Sequence, residues 1–597
     1  MEKIITIHVG HDATVFYIDD KSFIGISEER VTRIKNFYGF PFSAIEEIFS
    51  IKNINWSKIN KIVFTSTFLE NMNSYQLMRI FSGKSVDYSN EVSKKVRFDF
   101  IKFFFKKSNK SKNFDSIFRE FLKKFNYSGS IKYIDHHLCH IASSYAMFPV
   151  EDPLLLSLDG GGDGLNWTIY NKNRNGFELR AKSIPDNNGI HDSPADIYAN
   201  TTKFLGFKRL RDEGKVMGLA AKGKAKHLKY FEEILKFEKG QFRSRIGSQN
   251  NSSLISKFLK LYNFMFNGIN YDLKQIRHME SFFNKTSFKT EDICSSLQIW
   301  SENIFLDFLK YYKKKLNIKN KSILLSGGFF ANVVINQRVR ESNLFENVYV
   351  TPNMGDGGLP LGASYLESTS YLKKKYFKKV RKNVYFGPET SNLNLKKILN
   401  DKNLIIKKKN IEEISALVVK HLVNNKIIGI FYGRMEYGPR ALGARSILAN
   451  PSYNNVNEIL NKRLKRSEFM PFGPMIRDVD AKKILKDYNN TDISPYFMTT
   501  TYKVKKILQN KAPAIVHIDK TVRPQIININ ENRLCYKILD KFYEETKIPA
   551  LINTSFNSHE EPIIMNEIDA IKSLEFNIID FLVINDSVVY KKNDDIK

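Results

Sequence analysis

Apolar positions along the chain fall into short continuous runs closed by glycine, and this unit recurs. Residues 4–18, IITIHVGHDATVFYI, read as strand, Gly-containing turn and strand, a hairpin that presents His11 and Asp12 at its bend. FIGISEERV (23–31) continues as a strand that ends in charge. LLLSLDGGGDGLNWTIY (154–170) repeats the strand–Gly turn–strand pattern, and KSILLSGGFFANVVINQRV (321–339) and VYVTPNMGDGGLPLGASYLE (348–367) each read as strand, Gly turn and helix. Residues 70–128, rich in Lys and Phe, are expected to be helical. HLCHIASSYAMF (137–148) places Ala and Ser at the spacing of a buried helix. Beyond them, NIEEISALVVKHLVNN (410–425) reads as a helix, and KIIGIFYG (426–433) and IPALINTSFN (548–557) as buried strands.

These units predict an α/β protein with a two-lobed nucleotide-binding region and a second α/β region. Apolar periodicity lapses over the basic residues 371–395, which sets the expected domains at 1–380 and 390–597. No solenoid-period repeat is present.

Composition narrows the class. With 597 residues and 42% hydrophobic positions the chain exceeds one core. Three widely spaced cysteines argue against a disulfide framework and for a reducing compartment. The N-terminal stretch lacks an apolar h-region, and no run of about 18 apolar residues exists, so a cytoplasmic protein without membrane insertion is expected. There are 93 Lys and Arg against 63 Asp and Glu, a net charge of +30. The basic clusters at 106–112, 373–382 and 407–409 lie between apolar segments and form no stripe with interleaved aromatics. They read as solvated surface, and no nucleic-acid partner is expected.

Candidate chemistry gathers at the turns. His136 and His140, spaced i, i+4, share one helix face, with Asp135 suited to cap that helix. Asp159 ends one apolar strand and Asp356 sits in a Gly-rich turn. Two His and two Asp suit a divalent metal of intermediate hardness, Fe(II), Zn(II) or Mn(II). Glycines at 160–162, 327–328, 355 and 357 follow strands, where backbone N–H groups can cradle phosphates, so ATP is the expected nucleotide. No GxxxxGK[ST] is present, which excludes a P-loop. Residues 432–448, YGRMEYGPRALGARSIL, carry Arg434, Arg440 and Arg445 among Gly and Pro, and read as an anion pocket.

Together these stretches resemble the O-carbamoyltransferase family of antibiotic and Nod-factor biosynthesis. The resemblance rests on GHDATV (10–15), SEERVTRIKN (27–36), DHHLCHIASSY (135–145), LDGGGDG (158–164), GKVMGLAA (214–221), SGGFFANVVIN (326–336), NMGDGGLPLGAS (353–364) and the arginine run. NKRLKRSEFMPFGP (461–474), HIDKTVRPQ (517–525) and NTSFNSHEEPI (553–563) extend it nearly to the end of the chain. The family implies an actin-like, two-lobed ATPase fold, similar to the tRNA threonylcarbamoyladenosine enzymes, joined to a C-terminal YrdC-like domain. It also implies that carbamoyl phosphate and ATP form a carbamoyl adenylate, whose carbamoyl group passes to a hydroxyl of a sugar or natural product. The alternative is a threonylcarbamoyl-type tRNA-modifying enzyme, against which the GPRALG region with its basic array counts. Family members tend toward dimers, so a homodimer is possible.

Carried over position by position, His136, His140, Asp159 and Asp356 resemble iron-type ligands, and His11 resembles a general base for the acceptor hydroxyl. Gly160, Gly161, Gly162, Gly327, Gly328, Asn332, Gly355 and Gly357 are the nucleotide-side positions. Arg434, Arg440, Lys462, Arg466 and Arg523 resemble the donor clamp, with Lys462 and Arg523 placed at the reacting atoms. Asn553, Thr554 and Ser555 are suited to hydrogen-bond carbamoyl or phosphate oxygens. The sequence departs from the family at Ala444, usually Asn, at Met470, commonly Arg, and at Gly473, usually Ala. With donor and metal sites in different domains, a connecting channel is expected.

Overall fold

A computed structural model describes residues 2–72, 113–184, 192–246, 274–284, 288–389, 404–453, 455–466 and 471–592. Most of the expected helical region 70–128 lies outside these residues, as do the basic cluster 106–112 and Met470; within them, Phe114–Lys123 is helical.

Two five-stranded sheets share one topology. The first contains β1 (Ile4–His8), β2 (Thr14–Ile18), β3 (Phe23–Ser27), β4 (Lys61–Phe64) and β5 (Ser130–Tyr133), ordered β3-β2-β1-β4-β5. Its first three strands are antiparallel and the last two run parallel to β1. The second contains β6 (Leu154–Gly162), β7 (Leu165–Asn173), β8 (Gly176–Lys182), β9 (Ser322–Ser326) and β10 (Asn347–Val350). It repeats both order and sense, β8-β7-β6-β9-β10. The central strands are buried at every position because both faces are covered. Helix His136–Met147 packs against helix Leu359–Glu367 between the sheets.

An eight-stranded mixed sheet follows, made from β11 (Leu404–Lys408), β12 (Ile428–Phe431), β13 (Arg445–Ala449), β14 (Gly473–Arg477), β15 (Gln525–Ile527), β16 (Leu551–Ser555), β17 (Phe581–Ile584) and β18 (Ser587–Lys591). Its order is β11-β18-β17-β12-β13-β16-β14-β15. The expected helix appears at Ile411–Val423, with Asn410 and Glu413 forming a capping box.

The described part of the basic segment 371–395 is not a loose linker. Phe377, Val384 and Phe386 are buried in an apolar core that runs from Phe16 and Phe23 of the first sheet to Ile430 and Ile447 of the third. Gly25 N–H donates to Phe386 O at 3.0 Å. Most charges of this segment lie on lysines while Phe377 and Phe386 enter the core, which accounts for the missing periodicity.

Candidate active site

The ligand cluster is built by ordinary local rules. Asp135 accepts the Leu138 N–H at 2.8 Å and starts the helix, so His136 and His140 emerge one turn apart on the same face. Asp159 comes from β6 and Asp356 from the turn before helix Leu359–Glu367. The potential ligand atoms of these four residues lie within 4.8 Å of one another. His140 Nε2 is 3.2 Å from Asp159 Oδ2 and 3.6 Å from Asp356 Oδ1, and His136 Nε2 is also 3.6 Å from Asp356 Oδ1. His136 Nε2 is buried without a hydrogen-bond partner, an unusual state for such an atom. The donor set and this orphaned nitrogen fit a divalent cation of intermediate hardness.

Close packing holds the cluster. A Cβ on Gly162 would come within 2.3 Å of the His136 ring, so only glycine lets the strand end approach it. The Asp163 carboxylate accepts from Ser66 Oγ at 2.5 Å, from Thr67 N–H at 2.7 Å and from His136 N–H at 3.0 Å. It thereby ties the loop after β4 to the start of the ligand helix. His8 Nε2 donates to His11 O at 3.0 Å and stands 3.6 Å from Asp356 Oδ2, while Thr65 Oγ1 meets its Nδ1 at 2.8 Å. Sequence reasoning missed both residues. The available signals were a polar side chain ending an apolar strand, and a second Asp in a turn already explained by glycine. His137 is structural, bonded to Ser157 Oγ and Leu165 O, and burial pushes its imidazole down to about 3.

His11 stands at the bend as expected, its Nδ1 3.0 Å from Asp12 Oδ2. Burial disfavours its charged form, but Asp12, then Asp356 and Asp159, outweigh that and raise it to about 9. A base must be unprotonated. A cation held by Asp159 and Asp356 would offset two of the three carboxylates that raise His11.

One cavity of about 910 Å³ is lined by residues of both expected sites, though His136 and His140 lie behind its wall. His11, Asp159 and Asp356 line one side; Arg440, Arg466, Arg523, Asn553, Thr554 and Ser555 line the other. A connecting channel is expected between the two sites; a single cavity reaches residues of both, because the loop 435–445 folds against the first sheet. Tyr437 OH donates to Gly357 O at 2.6 Å, and Arg30 Nη2 donates to Gly438 O at 2.7 Å. Glu436 Oε1 accepts three backbone N–H groups, from Leu442, Ala444 and Arg445, at 2.7, 2.7 and 3.1 Å. Arg466 donates to Thr554 Oγ1 and Ser555 Oγ, both at 2.9 Å, and fixes the end of β16.

The arginine run needs correction. Arg440 reaches the cavity; Arg434 and Arg445 do not line it. Arg434 donates to the carbonyls of Phe23, Phe386 (2.8 Å) and Gly387 (3.1 Å). Arg445 is fully buried over the Phe431 ring and donates to Gly433 O and Ala444 O at 3.2 and 3.0 Å. Arg445 satisfies carbonyls of its own Gly/Pro-bent loop, and Arg434 satisfies carbonyls of β3 and of residues 386–387. Lys462 is exposed on helix Val456–Arg463 and does not line the cavity.

Among the nucleotide-side positions, Gly160, Gly161, Gly328, Asn332, Gly355 and Gly357 line the cavity, whereas Gly162 and Gly327 do not. Gly327, at φ +105°, is required for packing, since a Cβ there would meet Leu158 O at 2.1 Å. The Asn332 amide is engaged by Gln298 and by capping the helix that starts at Val333. Ala444 is buried below the loop.

Comparison with known proteins gives this geometry its family. The description Carbamoyltransferase N-terminus matches residues 3–365, and Carbamoyltransferase C-terminus matches 419–591. The chain belongs to the carbamoyltransferase family. An uncharacterized protein of Methanocaldococcus jannaschii is 32% identical over 98% of both chains. The nodulation protein NolNO of Sinorhizobium fredii is 27% identical, over 98% of this carbamoyltransferase and 79% of the relative. The nodulation protein NolO of Bradyrhizobium diazoefficiens is 29% identical, over 77% and 79% respectively. Among solved structures, full-length HypF in its phosphate- and nucleotide-bound form aligns over 62% of this chain and 56% of its own, at 15% identity and TM-score 0.29. That likeness is partial and carries no weight for the fold. Among the described residues no helix is long and apolar enough to cross a membrane.

Proposed function

We propose that this carbamoyltransferase is an ATP-dependent O-carbamoyltransferase that makes carbamoyl adenylate from carbamoyl phosphate and ATP, then carbamoylates a hydroxyl of a small molecule or glycan. The reading adopts the actin-like fold for the duplicated sheets and a YrdC-like fold for the third. In this scheme water cleaves carbamoyl phosphate to carbamate and phosphate, a carbamate oxygen displaces pyrophosphate from ATP, and the acceptor oxygen, giving up its proton, displaces AMP from the carbamoyl carbon. The observation that carries it is the shared cavity, with an imidazole–carboxylate cluster on one side and three arginines beside a strand end on the other.

Arg440, Arg466 and Arg523 face the phosphate groups, whose negative charge grows as each leaving group departs. Thr554 and Ser555, held by Arg466, orient the donor. His136, His140, Asp159 and Asp356 would hold the divalent ion, Fe(II) by preference, which would supply Lewis-acid polarisation of the adenylate's phosphate in the transfer step. His11 takes the acceptor's proton at Nε2, while Asp12 fixes its ring through Nδ1. The test is release of pyrophosphate from ATP that depends on carbamoyl phosphate. Metal-loaded protein that releases none, at any donor concentration, defeats the proposal.

A further inference from the structure

The strand end beside Arg440 and Arg466 carries an acceptor atom that the scheme above leaves unused. Asn553 sits in β16, opposite Leu448 on one side and Gly473 on the other, and is 2% exposed although it lines the cavity. The orientation of its amide follows from its neighbours. Gln525 Nε2 donates to Leu442 O at 2.8 Å, which turns Gln525 Oε1 toward Asn553. Asn553 Nδ2 then donates to Gln525 Oε1 at 2.5 Å and to Ala441 O at 3.0 Å. A half-turn of the amide would set Oδ1 against these two acceptors, so the network permits one orientation. In it, Oδ1 is buried with no hydrogen-bond partner.

Buried side-chain oxygens are nearly always satisfied, and the exceptions gather where a ligand completes the set. Gly473, directly across the ladder, contributes no side chain to cover the amide. The carbonyls that orient Asn553 belong to Ala441 and Leu442, immediately after Arg440. The loop that presents the cation therefore also aims the amide.

We propose that Asn553 selects the donor by its amino end: Oδ1 accepts an N–H from the carbamoyl NH2 group. This assigns Asn553 a role opposite to donating toward carbamoyl or phosphate oxygens, since both its N–H groups are already used within the protein. The inference rests on the function proposed above. Carbamoyl phosphate and acetyl phosphate share shape and charge and differ by NH2 against CH3. Arginines grip both equally, whereas an unpaired acceptor beside a methyl group stays unpaired. The same contact serves carbamate after phosphate has left, because the amino group is retained.

The experiment compares full-length protein with Asn553→Leu, reading the KM for carbamoyl phosphate in pyrophosphate release and the competitive Ki of acetyl phosphate and of inorganic phosphate. The expected result is a rise in KM of about tenfold, as for one lost hydrogen bond, with both Ki values unchanged. Equal weakening of all three would assign Asn553 to strand architecture and overturn the inference, as would an unchanged KM. Gln525→Leu, which frees the amide to rotate, should shift the same preference by a smaller factor and covers the case in which Asn553→Leu does not fold. If wild type releases no pyrophosphate with carbamoyl phosphate, the proposed reaction fails. Asn553 is then judged by calorimetric Kd values: wild type binding carbamoyl phosphate no tighter than acetyl phosphate overturns the inference.

Discussion

The two walls of the cavity answer differently to the same kind of sequence signal. On the metal side, four residues drawn from a helix, a strand and a turn converge to within 4.8 Å. On the donor side, three arginines within twelve positions diverge: one lines the cavity and two are consumed by backbone carbonyls. Regular elements fix the direction of a side chain, whereas a loop cation goes to whichever unpaired carbonyls the loop carries or packs against. Proximity in sequence is thus weaker testimony to a shared site than periodicity.

The largest test of this contrast is His140→Ala. It should abolish stoichiometric metal retention, by elemental analysis, and cut carbamoyl transfer at least about a hundredfold. Pyrophosphate release, assigned to the opposite wall, should survive; its equal loss would mean the walls do not divide the chemistry.

Next comes the paired comparison Arg440→Ala and Arg434→Ala. The first should lower kcat/KM for carbamoyl phosphate by about a hundredfold at unchanged melting temperature. The second should leave KM nearly unchanged and lower the melting temperature, because the buried carbonyls of Phe23 and Gly387 lose this donor at about 1–3 kcal/mol each, while Phe386 O keeps the Gly25 N–H. A reversed pattern would restore the arginine run as a single anion pocket.

Tyr437→Phe removes one hydrogen bond between the donor loop and the turn that carries Asp356. A loss of about 1 kcal/mol there should weaken metal binding roughly fivefold, measured by titration, and raise the KM for carbamoyl phosphate as well. A change confined to one of the two would show that the walls move independently.

The smallest effect concerns pH. His11 is raised to about 9, so its pairing with Asp12 stabilises the metal-free fold fully below about 6.5, the ordinary histidine value. That contribution is lost as pH rises through about 9. The melting-temperature difference between wild type and Asp12→Asn should therefore shrink over this window. In metal-loaded enzyme the transfer rate should rise with pH through a value below 9.

The ligand helix, its Asp135 cap, the hairpin that bears His11 and the Gly-closed strands were all legible, since each follows from local periodicity and capping. Arg434, Arg445 and Lys462 were not, because whether a cation meets a ligand, a carbonyl or water depends on what the loop packs against. His8 and Asp163 escaped notice for a related reason: each serves a partner distant in sequence. The single cavity was equally hidden, depending on Tyr437 and Arg30 contacts that span 80 and 408 positions.

The placement of the metal cluster also bears on how the chain assembles. His8 and the Ser66–Thr67 loop belong to the first sheet, Asp159 to the second, and the paired imidazoles to the helix between them. Each sheet is seeded by two hairpin pairings, whereas the ligand set is complete only after the long-range strands have joined and the two sheets have docked. Metal affinity should consequently be among the last properties recovered on refolding, and its appearance would clock the docking of the two halves.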